Sequence, residues 1–286
     1  ADEVVWNAAP AAPGDGTLLF ATSCGGASRI AFGGQLVWRA GAPRRGPDRM
    51  CSTGGGSVGP NGVFYTEYTR DDGSAHVSAY QVSDGMLLWE RNFGKAYGGG
   101  QYPAVGRLGA EGPLAVVVAI GQNPGLAPWM YYPFLKDPKS LKVYNENATV
   151  RKQLHAPHQP NAVVALDATT GDVLWRWEED VWDHLGAAGD EDENSLKRAA
   201  ENSPEGSICL PDLQGIPLIT ADGTVYASSS HGGDLTAIRD ADGNGVIDPT
   251  EVSKLPTHMA FLNSPSAAPG MLVAAPCWGP MYVFKD

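Results

Sequence analysis

The chain has 286 residues and a formal net charge of −12 at pH 7. That acidity excludes nucleic acid, whose phosphates need clustered Lys and Arg, and adsorption to an anionic membrane surface. No stretch reaches the ~20 apolar residues that cross a bilayer, so no transmembrane segment is expected. The 36 Gly and 22 Pro are spread evenly, which fits many short strands joined by turns.

In chain order, DGTLLFATS (15–23) predicts a strand after a Gly turn, and SRIAFGGQLVWRA (28–40) a hairpin closing on Trp38. NGVFYTEYT (61–69) and HVSAYQVSDGMLLWERN (76–92) repeat that order, with Trp89 as the closing aromatic. EGPLAVVVAI (111–120) and NAVVALDATTGDVLWRW (161–177) repeat it again, closing on Trp175. DGTVYASSS (222–230) and PGMLVAAPC (269–277) open two further copies. Short lead-in segments, often with Pro, precede several of them: QYPAVG, QGIPLIT and NSPSAAP.

The unit is four short strands. Such a sheet cannot bury both faces alone, so copies in tandem must pack on one another. The fold predicted is all-β: a small β-propeller of about five four-stranded blades, one domain over 1–286. The last unit stops at MYVFKD. The opening DEVVWN (2–7), with Trp6 as its anchor, is expected to complete that blade and cover its edge. The start ADEVVW also reads as a mature end after removal of a targeting segment.

Two insertions interrupt the third unit, at 121–160 and 178–207, and the strand order puts both on one face. The first carries Trp129, Tyr131, Tyr132 and Phe134, which read either as a self-burying cap or as a partner-binding patch. The second carries an acidic run (177–193) and the best helix candidate, DENSLKRAAEN (192–202).

Within the third hairpin, Ala165, Asp167, Thr170, Gly171 and Trp175 spell AxDxxTGxxxW, and Ala79, Gln81, Asp84, Gly85 and Trp89 give a degraded copy. This resembles the tryptophan-docking motif of the quinoprotein (PQQ-like) β-propellers. The resemblance implies that these residues, with Trp38 and Trp6, are structural and stack each blade on its neighbour. EDVWDH (179–184) also resembles a stretch of the quinoprotein dehydrogenases. Those enzymes are longer rings whose cofactor often sits against a bridge between adjacent cysteines. No such pair occurs here, and their cofactor calcium ligands do not map onto this chain, so PQQ is not expected.

Residues 240–251 read DADGNGVIDPTE and match the calcium-loop pattern. Asp240, Asp242, Asn244, Asp248 and Glu251 supply side-chain oxygens, and Val246 a backbone carbonyl. Gly245 makes the sharp turn, and Ile247 is the apolar plug. The flanking residues read as strands, with no helix pair to open. The expected role is therefore a structural Ca2+ pinning an enlarged hairpin turn, on the face opposite the insertions.

Four cysteines, Cys24, Cys51, Cys209 and Cys277, map to the insertion-bearing face. Cys24 with Cys51 and Cys209 with Cys277 are the favoured bridges, buried thiols the alternative. Bridges, and the glycosylation acceptor at Asn147, suit a compartment outside the cytosol: an organelle lumen, the periplasm or the exterior. His155 and His158 read as solvated loop histidines, and His184 beside Asp183 lacks a nucleophile. The reading favoured is a non-catalytic calcium-binding accessory or scaffold subunit that docks a larger protein assembly. The alternatives are a PQQ-dependent alcohol or sugar dehydrogenase and a carbohydrate-binding propeller.

Overall fold

In a computed structural model, residues 9–22, 24–41, 55–70, 72–95, 97–99, 101–121, 137–147, 159–182, 187–189, 215–277 and 279–285 are described. They form five antiparallel sheets in chain order. The first holds β1 (Thr17–Ala21), β2 (Ala27–Ala31) and β3 (Leu36–Ala40). A single bridge from Ala11 to Leu19 stands where its innermost strand would run. The second holds β4 (Gly55–Val58), β5 (Val63–Thr69), β6 (Ala75–Gln81) and β7 (Leu87–Gly94).

In the third, β8 (Gly98–Gly99) and β9 (Ala104–Arg107) both pair with β10 (Leu114–Gly121), followed by β11 (Gln159–Asp167) and β12 (Val173–Trp182). The fourth holds β13 (Leu218–Ile219), β14 (Val225–Ser228), β15 (Asp234–Ile238) and β16 (Val252–Pro256). The fifth holds β17 (Ser266–Ala268), β18 (Met271–Ala274) and β19 (Tyr282–Lys285), with no fourth strand among the described residues. Residues 2–7 and Trp6, expected to supply it, lie outside the described residues.

The strands alternate because each middle sheet has two neighbours. Side chains on a strand point to opposite faces in turn. In β10, Val116, Val118 and Ile120 pack on Val63, Tyr65 and Val77 of the second sheet. The intervening Val117 packs on Val225 and Ala227 of the fourth. In β5, Phe64 turns the other way, onto Leu19 and Trp38 of the first sheet. A central strand buried on both faces therefore reads as a continuous apolar run, which is why β10 is LAVVVAIG. Strand β1 lies against β4, β4 against β9 and β9 against β13, so the sheets follow one another about a common axis. This radial order of antiparallel sheets is a β-propeller.

The third sheet fixes the face of the insertions. Gly121 pairs with Asn161, and Gln159 with Trp182. The first insertion leaves at Gly121 and returns at Gln159; the second leaves at Trp182. All three residues stand at one end of the sheet. Within the first insertion the described residues include helix α1 (Pro138–Glu146). Asp137 caps it by accepting from the Ser140 amide at 3.0 Å, and Pro138 opens it. The sequence reading had no helix there, although Asp followed by Pro is a helix-start signal.

Candidate metal centre and its seam

Ile238 and Val252 pair at the end of the β15–β16 hairpin, and the Arg239 amide donates to the Glu251 carbonyl at 3.0 Å. Gln81 donates to Met86, and Asp167 to Asp172, in the same way, each at 2.8 Å. Residues 240–250 therefore replace the four-residue turns 82–85 and 168–171. The calcium-type run is an enlarged hairpin turn at the end opposite the insertions.

The loop is folded by its own carboxylates. Asp240 accepts from the Asn244 amide at 3.1 Å and the Gly245 amide at 2.9 Å. Asp242 accepts from the Asn244 amide at 3.1 Å and its side-chain amide at 2.8 Å. Asn244 Oδ1 accepts from Val246 at 2.6 Å. Glu251 reaches back across the loop, taking the amides of Ala241 at 2.6 Å and Asp248 at 3.0 Å. Gly245 holds φ at +80°, a left-handed turn that disfavours other residues.

The result is that carboxylate oxygens of Asp240, Asp242 and Glu251 lie within 4.8 Å of one another. Three hard oxygens converging on one point suit a hard divalent cation. Asp248 stands outside that trio; position 9 of such loops often engages its ion through water. Val246 is exposed, and its expected contribution is a backbone carbonyl. Arg239, next to the loop in sequence, pairs with Asp222 at 3.5 Å.

The tryptophans dock from sheet to sheet. Trp38 Nε1 donates to the Val82 carbonyl at 2.8 Å, and a Cβ on Gly85 would stand 2.7 Å from the Trp38 ring. Trp89 Nε1 donates to the Ala168 carbonyl at 3.1 Å, and a Cβ on Gly171 would stand 2.6 Å from the Trp89 ring. Glycine is required at both turns because the indole lies on the backbone. Asp167, the motif carboxylate, shapes its turn by accepting from the amides of Thr169 at 2.8 Å and Thr170 at 2.9 Å. Ala165 is fully buried and pairs with Trp175, which is buried at the seam with the fourth sheet.

One feature went unread in the sequence. Trp38, Trp89 and Trp175 each follow a β-bulge, between Arg29/Ile30, Ala79/Tyr80 and Ala165/Leu166. A bulge twists the strand and re-aims the side chain that follows. In the fourth sheet, Ala237 pairs with Ser253 and Ile238 with Val252 without a shift, and no Trp follows. Beyond it, a cleft of about 1030 Å³ opens between the fourth and fifth sheets, lined by Leu255, Leu272 and Phe284 among others.

Neither Cys24 nor Cys277 is a free thiol. Cys51 and Cys209 lie outside the described residues, as do Trp129, Tyr131, Tyr132, Phe134, His155, His158, Asp183 and His184.

The family model described as outer membrane protein assembly factor BamB matches residues 27–253. The chain belongs to that family of PQQ-like propellers. No curated protein matches it. Among solved structures, BamB from Moraxella catarrhalis is 13% identical at a TM-score of 0.49, over 98% of this chain and 61% of that one. The quinohemoprotein alcohol dehydrogenase of Comamonas testosteroni is 15% identical at 0.54, over 100% and 42%. The Dos1 propeller is 8% identical at 0.51, over 94% and 52%. The likeness to the latter two establishes the fold alone, and the chain spans less than two thirds of each of the three structures.

This BamB-family chain also holds a buried polar strut that sequence reasoning missed. Ser74 Oγ donates to Asp72 Oδ1 at 2.5 Å and stands 2.8 Å from His76 Nε2. His76 Nδ1 lies 2.6 Å from Glu90 Oε1, and Arg70 donates to both Glu90 oxygens at 2.7 and 2.8 Å. Tyr68 stacks on His76 at 5.5 Å. Burial, then the charge of Arg70, holds the imidazole below its ordinary value of 6.5, against the pull of Glu90. Burial likewise pushes Tyr80, on the same strand, up to about 12. The serine–histidine–carboxylate order is that of a hydrolase, but Ser74 is only 3% exposed, which closes it to a substrate. The only sequence signal was a polar residue at every second position of β6 (Ala75–Gln81), His76 and Ser78, in a segment read only as a hairpin strand.

Proposed function

We propose that this chain is a calcium-stabilised propeller acting without catalysis as an accessory subunit of a larger protein assembly. The carrying observation is that Gly121, Gln159 and Trp182, where the insertions meet the third sheet, share one end of that sheet. Long loops on a rigid scaffold are where propellers bind. The family description, an assembly factor, supports a role of this kind. Among the described residues no helix is long and apolar enough to cross a membrane.

The metal in this reading is Ca2+, held by Asp240, Asp242, Asn244, Asp248 and Glu251 with the Val246 carbonyl. At free calcium about 1,000 times Kd it would contribute about 4 kcal/mol of stability. Bridges Cys24–Cys51 and Cys209–Cys277 would tie the insertion-bearing face and would suit a compartment outside the cytosol.

The test is affinity capture followed by native mass spectrometry. The full chain is compared with a variant in which 125–157 is replaced by a short Gly-Ser linker. A companion chain at fixed stoichiometry, lost with the deletion, supports the reading. Equal recovery by both variants removes the loop face from it. Reduction of a redox dye on adding PQQ and calcium would replace the scaffold with the dehydrogenase reading.

A further inference from the structure

We infer that the cation loop is a latch on the seam between the third and fourth sheets, so that metal binding tightens the packing of one sheet on the other. The inference rests on the calcium reading of residues 240–251.

The argument is positional. In the second and third sheets the turn after the third strand receives the indole of the preceding sheet. The carbonyl that accepts it belongs to the first turn residue, Val82 or Ala168. In the fourth sheet the first turn residue, by the same backbone pairing, is Asp240. It is also the first ligand of the loop. The preceding indole is Trp175, 2% exposed, which lines a cleft of about 620 Å³ together with Asp240, Asp242 and Gly245. The docking turn and the cation loop are therefore the same segment.

Two further contacts join the loop to the third sheet. Gly245 runs so close to β12 that a Cβ there would stand 2.9 Å from the Leu174 carbonyl. Ile247 turns inward and packs on the cluster of Trp175, Val225 and Ile238. Ligand positions 1, 3, 5, 7, 9 and 12 thus alternate with residues seated in the seam. An ion that fixes the first set fixes the second. The carboxylates of Asp240, Asp242 and Glu251 repel one another when no cation lies between them. Their repulsion would spread the loop and withdraw Gly245 and Ile247 from Leu174 and Trp175. The third sheet also carries both insertions, so a latch at its far end steadies the sheet from which the long loops rise.

The experiment uses the full chain stripped with a chelator and titrated with calcium chloride, read by calorimetry and by amide hydrogen exchange. Seam opening that releases the ion should slow by about 100-fold at free calcium about 100 times Kd. That slowing is expected in β12 around Trp175 and in β15 and β16, with β5 and β6 unchanged as the internal control. Ile247→Ala should still bind calcium and lose most of the slowing. Binding heat with unchanged exchange in β12 overturns the latch and leaves the metal site standing. Full slowing in Ile247→Ala overturns it as well. Absence of binding heat removes the calcium reading and the latch together.

Discussion

Gly171→Ala tests the docking logic at a single methyl group. Gly171 has φ at +75°, where an alanine costs about 1–2 kcal/mol. Its new Cβ would lie 2.6 Å from Trp89 Cε3 and 2.7 Å from Cδ2. The indole must leave its seat. Removing a large buried aromatic altogether costs about 3–5 kcal/mol, and a displaced, half-buried one roughly half of that. The sum is about 3.5 kcal/mol. Gly34 is the control: its φ is +81°, and a Cβ there meets nothing within 4 Å. Gly34→Ala should cost only the backbone term, about 1–2 kcal/mol. The difference, about 2 kcal/mol or roughly thirtyfold in the unfolding constant, is read from urea denaturation of both variants. In a Trp89→Ala background the Gly171→Ala cost should fall to that of Gly34→Ala. Equal costs for the two glycines, or simple additivity with Trp89→Ala, would refute the reasoning.

The buried His76 should make stability pH-dependent. Its folded pKa lies below 6.5, so the unfolded chain takes up a proton first. Its contribution is complete above pH 6.5 and declines as pH falls through that value towards the folded one. His76→Gln should flatten the midpoint-against-pH curve in that window, and an unchanged slope would exclude His76 as the source. Peptide mapping without reductant should recover Cys24 joined to Cys51 and Cys209 joined to Cys277; alkylation of all four thiols in the unreduced protein would dismiss both bridges. Losing the first bridge, in Cys24→Ser with Cys51→Ser, should cost about 3.5 kcal/mol in the chain-entropy account. Among the described residues the fifth sheet receives no docked tryptophan, so amides of β18 should exchange faster than those of β10, and equal protection would contradict a seam-by-seam stability.

The strand order was legible because it depends on local chemistry. Gly turns precede β1, β5, β10, β14 and β18, and alternation with a closing Trp marks the hairpins ending at Trp38, Trp89 and Trp175. The convergence of Asp240, Asp242 and Glu251 was legible for the same reason, since a fixed spacing folds a short loop about one point. What stayed hidden is relational. The three bulges leave no residue signature, because any pair of residues can oppose one. The innermost strand is split into β8 and β9, and Gly99 of β8 passes close to Glu67 of the second sheet, a contact between sheets. The strut at His76 lay inside a segment legible only as a hairpin strand. It is buried because the second sheet is covered on both faces. The identity of loop and docking turn needed the register of the fourth sheet before it could be seen.

The docking chain has a direction, and it ends. Trp38 is held by the second sheet, Trp89 by the third, and Trp175 packs where the cation loop stands on the fourth. Each link ties a bulged outer strand to the turn of the next sheet, so the first four sheets share one continuous series of docked tryptophans, Trp38 and Trp175 buried and Trp89 half-buried. At Ser253 the bulge and the indole vanish together. The fourth and fifth sheets then meet chiefly through Leu235, Phe261 and Ala274, with the Ser230 hydroxyl donating to the Phe261 carbonyl at 2.6 Å. A bulge without a tryptophan would twist the strand to no purpose, and a tryptophan without a bulge would point away from its seat. Their joint loss therefore marks a seam that is not built on tryptophan docking. The preceding seam is the one where the loop of Asp240, Asp242 and Glu251 stands, so the fourth sheet meets its two neighbours by different means.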